Sequence, residues 1–510
     1  MGPGRSDART LAGRGARPRR THPPLERAPH PARERARGRP RGRGGHRRLS
    51  RGASGTPGTP GTPGAAVSRA TPGAGPAGDA CETRPVTTTH ETLRPPRRDE
   101  RNWADSFSYR ATRVVQPTTV DELSELVAGA PRIRALGTRH SFSDVADGPG
   151  LLVSTTALPA DPVISDDGHG VTVGAGTNYA VVAQHLDRHG LALLNMGSLP
   201  HISVGGAIAT GTHGSGLGLG SLSSAVSALE IVGPDGSLRT VRRGQPGFDG
   251  SVVALGALGV VVRVTLDVQP GFRMRQDTYV DLPWSSVDDH LVDVMGAGYS
   301  VSFFHEFDHR IREVLVKSRV PEGLADVSMP RDLWGARPAP VDEHAEVTGT
   351  KSTPMDGSVG SWADRLPHFR IDATPSVGSE LQSEHFVALE DGAAALRAVR
   401  RVGDELRPHL HTCETRTVAG DPLWLSPTPQ DSLGIAFTWK KHPAEVAALI
   451  PRVEEALAPF TPRPHWGKLS ALPHAAIVAA YPRLADFADL VREIDPEGKF
   501  GGPAVERLLA

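Results

Sequence analysis

ALGTRHSF, residues 135–142, is the stretch from which the rest of the chain can be read. Before it, Arg132-Ile133-Arg134-Ala135-Leu136 alternates charged and apolar residues, the period of a short strand. Gly137 and Thr138 break that strand, because glycine supplies backbone angles and close approaches that other residues cannot. A loop leaving a strand in this way aims several N–H groups at one spot, and such a nest suits phosphate. His140 stands in its middle, with Ser141 and Ser143 offering hydroxyls. Alone, this histidine would read as a loop residue satisfied by backbone.

Further along, NMGSLP (195–200) and SVGGAIATGTHGSG (203–216) form a second glycine-rich region. Its interleaved Val, Ile and Ala argue against a flexible linker, since linkers are polar. Together the two regions resemble the vanillyl-alcohol-oxidase-type (PCMH-type) flavoproteins, and within them the alditol and xylitol oxidases, near the aldonolactone oxidases. The resemblance covers about residues 102–510. It implies an α+β fold: a two-subdomain FAD-binding domain, a substrate cap and a C-terminal segment returning to the flavin domain. It also implies FAD bound covalently through one ring nitrogen of His140. The implied cofactor contacts are Ala135, Leu136, Gly137, Thr138, Arg139, His140 and Ser141 in the first loop. Ser198, Ser203, Gly206, Thr210, Gly211, Thr212 and His213 follow from the second, and the backbone of Val260, in LGALGVV (255–261), from the adenine side. No cysteine lies near residues 195–216, which excludes a second, thioether bond to the flavin.

The cap carries the substrate residues that the resemblance implies. In CETRTV (413–418), Glu414 and Arg416 are two apart, so on a strand they project from one face. Lys468 in PHWGK (464–468), Thr438 in FTW (437–439) and Ser198 complete the set. Read alone, Glu414 and Arg416 would be an ordinary surface ion pair. A polyol is all hydroxyls and needs several directed donors and acceptors. On this resemblance Glu414 is expected to accept from hydroxyls, and Arg416 and Lys468 to stabilise negative charge on the reacting oxygen as the alcohol is oxidised. Two departures stand out. Ala436 occupies the place where alditol oxidases commonly carry histidine, and GKFGG (498–502) differs from the relatives' Thr-Asn after phenylalanine. The resemblance also implies that Gly197, beside Ser198, lies against the flavin edge, where a residue without a side chain is expected to leave room for oxygen.

The resulting expectation is an oxidase that converts the terminal primary alcohol of a sugar alcohol to an aldehyde and reduces O2 to H2O2. The alternatives are an aldonolactone oxidase or dehydrogenase of the same superfamily, and a flavin-binding protein without polyol turnover. No metal is expected.

Charge is split along the 510 residues. Residues 1–98 hold 21 Arg, no Lys and 6 Asp+Glu, leaving 36 of the 57 basic and 51 of the 57 acidic residues to the remainder. That first segment, with its GTPGTPGTPG repeat (55–64), has almost no aliphatic content and reads as disordered. Arginine runs without aromatic residues give at most non-specific nucleic-acid binding, and a start codon assigned too far upstream is the other reading. No run approaches the roughly 20 apolar residues of a membrane helix. Two cysteines, Cys81 and Cys413, rule out a disulfide framework and fit a cytoplasmic protein, expected as a monomer.

Further elements follow from pattern. Thr119 and Glu122 form a capping box before a helix over 121–128. A strand is expected at 170–174, a helix at 179–188 ending at Gly190, and a buried strand pair within 252–266. The division is a tail over 1–98, a flavin domain over 99–275, a cap over 276–460 and a returning segment over 461–510. Cap strands are expected at 299–304, 313–317, 385–389 and 433–439, helices at 391–405 and, kinked at Pro451, 443–457, with a poorly readable insert at 319–365.

Overall fold

The computed structural model describes residues 100–159, 161–340, 351–373 and 378–510; the arginine-rich segment lies outside them. β1 (Arg113–Val115), β2 (Ile133–Leu136) and β3 (Leu151–Ser154) form a parallel sheet in the order β1-β3-β2, with α1 (Val120–Gly129) between the first two strands. Thr119 caps α1 as expected, its Oγ1 accepting from the Glu122 N–H at 3.1 Å. The Glu122 carboxylate reaches one residue further out than a capping box, accepting from the Thr118 N–H at 2.8 Å. The alternation in β2 does not expose Arg134. Its buried guanidinium donates to the carbonyls of Phe500, Val145 and Leu255.

A second sheet is antiparallel and runs β4 (Val163–Ile164), β5 (Gly170–Gly174), β8 (Val260–Asp267), β6 (Val226–Val232), β7 (Leu238–Arg242). α2 (Tyr179–Arg188) ends where Gly190 takes φ of 69°, and α3 (Val204–Ala209) occupies the second glycine region. The apolar run at 252–266 yields one strand, not two. Leu255, Gly256 and Gly259 hold left-handed backbone at φ of 53°, 72° and 128°, so the chain turns there and only β8 is extended.

The cap sheet is antiparallel, its six long strands β9 (Arg273–Pro283), β10 (Ser300–His305), β11 (Arg310–Val320), β12 (Glu380–Ala388), β13 (Leu410–Val418) and β14 (Ser432–Lys440) ordered β9-β11-β10-β13-β14-β12. α4 (Trp284–Met295), α5 (Gly392–Arg400) and α6 (Pro443–Leu457) share a core with the sheet, in which Val287, Leu396 and Val453 meet Phe303, Phe437 and Trp439. Alternation sends their neighbours Glu414, Arg416 and Thr438 to the opposite face, which lines a cavity. The helix expected over 391–405 stops at Arg400, and a separate turn of helix follows at Gly403–Leu406. α6 runs unbroken through Pro451.

After α7 (Leu484–Ile494) the chain rejoins the first sheet, where the Ile133 N–H donates to the Lys499 carbonyl at 3.0 Å. Phe500 is fully buried there against Val115, Leu123 and Ile133.

Candidate active site

The cavity, about 550 Å³, lies between the glycine loops and the cap sheet. Residues 135–142 line it together with Ser198, Ser203, Gly206, Thr210, Thr212 and His213; the cap sheet contributes Glu414, Arg416 and Thr438, and the chain beyond it Lys468. Sequence reasoning therefore converges on one place. Three residues stand apart. Ser143 turns away and donates to the Trp466 carbonyl at 2.7 Å. Gly211 does not line the cavity; its φ of 72° and its packing against Pro427 make a turn. Val260 is buried in the core, and its neighbours Gly259 and Val261 reach the cavity instead.

The first loop differs from expectation in what it asks of its residues. Gly137 makes a close approach: a Cβ there would stand 2.9 Å from Ser203 Oγ and force that hydroxyl to shift. The left-handed residue is Arg139, at φ of 65°, whose guanidinium pairs with Glu100. His140 packs 5.2 Å from the Trp103 ring, and its Nδ1 lies 3.0 Å from Thr138 Oγ1. That oxygen already accepts from the Ser203 N–H, so its own hydrogen is free for Nδ1. Burial, helped by His201, lowers His140 to about 4, leaving a neutral imidazole with a lone pair.

Ser203 Oγ is buried and has no partner in the protein, and Gly137 and Gly206 leave open floor beside it. A buried hydroxyl without a partner is costly unless a ligand supplies one. A phosphate-bearing dinucleotide fits this cradle, and the lining residues of the two glycine regions would hold FAD.

Across the cavity the polar side chains form one network around Glu384. Its Oε2 lies 2.8 Å from Lys468 Nζ, and its Oε1 3.2 Å from Arg416 Nη2 and 3.0 Å from His213 Nε2. Burial alone would raise the Glu384 carboxyl, but Lys468, His213 and Arg416 outweigh it and hold it well below the usual range. Arg416 also donates to Ser198 Oγ at 3.3 Å and stands 3.6 Å from Glu414 Oε2. Despite burial, Arg416 and His368 hold Glu414 at about 2, so it is a carboxylate. Donors of His213, Glu384 and His465 lie within 4.8 Å of one another. Both Glu384 oxygens already serve cations, so a divalent ion there would meet Arg416 and Lys468; the cluster is a charge network and not a metal site.

Glu384, His368, Lys317 and His465 were not foreseen. Starting the β12 strand at His385 hid Glu384 by one residue; the alternation Gln382-Glu384-Phe386 was the signal that could have found it. His368 lies just beyond the poorly readable insert and carries no pattern of its own. Its Nε2 meets Glu414 Oε1 at 2.8 Å.

Among known protein families, an FAD binding domain matches residues 111–242 and the D-arabinono-1,4-lactone oxidase family matches residues 375–508. The alditol oxidase of Streptomyces sp. (strain IKD472 / FERM P-14339) is 44% identical over 415 residues, covering 80% of this chain and 98% of that protein. The L-gulono-1,4-lactone dehydrogenase of Mycobacterium tuberculosis is 27% identical over 80% of this chain and 98% of its own length. Among solved structures, cholesterol oxidase from B. sterolicum superposes with a TM-score of 0.65 at 17% identity, covering 82% of this chain and all of that one, a likeness of fold.

Proposed function

The chain belongs to the alditol oxidase family of FAD-binding flavoproteins, and from that premise we propose that it oxidises the terminal primary alcohol of a sugar alcohol to an aldehyde with O2 as acceptor, releasing H2O2. The observation that carries this reading is Arg416 and Lys468 held over the cavity by one buried carboxylate, with Glu414 beside them as acceptor. FAD, held by the lining residues of the two glycine regions, would supply the hydride acceptor and the redox link to oxygen. The protein's part is to hold the polyol and stabilise charge. Glu414 accepts from substrate hydroxyls, Ser198 and Thr438 bind neighbouring ones, and the two cations face the reacting oxygen, on which negative charge grows as its proton leaves to water while hydride passes to the acceptor. Because Glu384 fixes both cations before substrate arrives, little reorganisation is needed at the moment of reaction.

His140 would carry the flavin covalently through a ring nitrogen, a reading that the neutral imidazole and its orienting Thr138 support. Residues 99–275 serve as the flavin domain, 276–460 as the cap and 461–510 as the returning segment. Among the described residues no helix is long and apolar enough to cross a membrane, and a cytoplasmic monomer is the setting proposed.

The test is anaerobic mixing with a panel of alditols, sugars and lactones while flavin absorbance is followed. Alditols should bleach the flavin; bleaching by lactones alone would move the chain to the lactone chemistry of its more distant relatives. Acid precipitation should leave the flavin on the chain, and His140→Ala should release it.

A further inference from the structure

Glu414 is the acceptor on which polyol recognition depends, yet its own sheet gives it little to hold it. Across the strands its register partners are Phe304 on β10 and Ala436 on β14, neither of which donates. Arg416 stands 3.6 Å from Oε2, beyond a hydrogen bond, and spends its Nη atoms on Ser198 and Glu384. A carboxylate in this position would be free to rotate or to turn wholly toward the guanidinium.

We propose that His368 is a positioning residue for polyol binding: anchored by Lys317, it fixes one oxygen of Glu414 so that the other faces the substrate. The proposal rests on the polyol reading of the site. His368 donates from Nε2 to Glu414 Oε1 at 2.8 Å, and its ring is braced edge-on by Phe304, 5.6 Å away between centroids. The tautomer is set from behind. Buried Lys317 reaches the Leu366 carbonyl at 2.5 Å, the Pro367 carbonyl at 3.2 Å and His368 Nδ1 at 3.3 Å, three acceptors for the three hydrogens of an ammonium. Nδ1 is therefore an acceptor, and the ring N–H is at Nε2, toward Glu414. The segment carrying His368 is tied to the site a second time, because the N–H groups of His368 and Phe369 donate to the Ser198 carbonyl at 3.2 and 3.1 Å. One short stretch thus sets both Glu414 and the backbone of Ser198.

The couple is sensitive to pH in a defined sense. The charged groups facing it are Glu414 and Arg416 on β13, while Gln276 on β9 and Ser300 on β10, opposite Lys317 in register, are neutral. Burial lowers Lys317 to about 7, with Glu414 pulling it up and Arg416 pushing it down. Below that value the ammonium donates to Nδ1 and the tautomer is locked. Above it one hydrogen is lost, the lock loosens and alditol affinity should fall.

The experiment compares flavin-loaded wild type with His368→Phe, His368→Gln and Lys317→Met. It reads KM for xylitol and sorbitol separately from the limiting rate of anaerobic flavin reduction, from pH 6 to 8.5. His368→Phe should raise KM about tenfold or more, the cost of a lost hydrogen bond to a charged group, while the limiting rate stays within about threefold. His368→Gln, which keeps an N–H donor, should recover most of the affinity. Wild-type KM should climb above pH 7, and in Lys317→Met that climb should vanish. If His368→Phe does not fold, His368→Asn, too short to reach Glu414, replaces it against the Gln variant. Unchanged KM in the variants of an alditol-oxidising wild type overturns the positioning role alone. A collapse of the limiting rate without a change in KM also overturns it, because His368 would then act in the chemical step. A wild type that no alditol bleaches overturns the polyol reading and this proposal together.

Discussion

Arg416 and Lys468 approach from different parts of the chain, one on β13 and one in the loop after residue 464, and meet at Glu384. Both are proposed to stabilise the negative charge that the reacting oxygen carries as its proton leaves and hydride transfers, charge the bound alcohol lacks, so they should act on the chemical step more than on binding. Arg416→Ala or Lys468→Ala is expected to slow anaerobic flavin reduction at saturating alditol by about a hundredfold or more, with the flavin spectrum retained. A near wild-type rate in Lys468→Ala would remove it from the site. Glu414→Gln should instead weaken polyol affinity. At Gly197 an added Cβ would meet Thr212 Cγ2 at 3.5 Å and the His213 carbonyl at 3.7 Å, ordinary contact distances. Gly197→Ala should therefore fold and load flavin, yet slow the reoxidation of reduced flavin by oxygen, read by stopped-flow mixing with aerated buffer. Equal reoxidation rates would show that oxygen enters elsewhere.

At the scale of elements, the second glycine region works by letting α3 press against the end of β5. A Cβ at Gly205 would stand 2.9 Å from Ala175 Cβ and 3.0 Å from its carbonyl oxygen, so Gly205→Ala must push the helix outward. Overpacking of this kind costs about 1–3 kcal/mol, and since α3 adjoins Ser203 and Gly206 the flavin content of the purified protein should fall together with Tm. An unchanged Tm would mean that the helix shifts without strain. Besides its hydrogen bonds, the returning C-terminal segment is held by one large apolar side chain. Phe500→Ala should lower stability by about 3–5 kcal/mol, seen as an earlier thermal transition, although the apolar cluster around residue 500 includes no cap residue.

Over the whole molecule, burying neutral imidazoles makes stability depend on acid. Burial lowers His305 to about 3 and His465 to about 3, whereas in the unfolded chain both titrate near 6.5. As pH falls the unfolded state takes up these protons first, so their contribution is complete above about 6.5 and is lost progressively down to about 3. Asp421 has the opposite sense, because burial raises it to about 6, but it is one group with a smaller displacement. Tm is therefore expected to drop between pH 6.5 and 4.5, and His305→Gln should flatten part of that slope. A Tm constant over this range would contradict the assignment of neutral histidines.

Local pattern carried much of this protein. The two glycine regions, the strand before His140, α2 with its glycine stop, and the pairing of Glu414 with Arg416 on one strand face all rest on neighbours in sequence, where period and turn chemistry are decisive. Element ends were less legible, as at β12 and in the run 252–266, because pairing partners and left-handed turns set them. The network around Glu384 was beyond local reading. His213, Glu384, Arg416 and Lys468 come from four separate stretches, and a buried carboxylate is tolerable only when the fold delivers its cations. The same holds for His368, whose tautomer depends on Lys317 some fifty residues earlier, and for Arg134, which an alternating pattern would expose and three distant carbonyls bury. Sequence determined which chemistry the chain can hold; tertiary structure decided which charges face each other, because electrostatic partnership depends on distance in space and not along the chain.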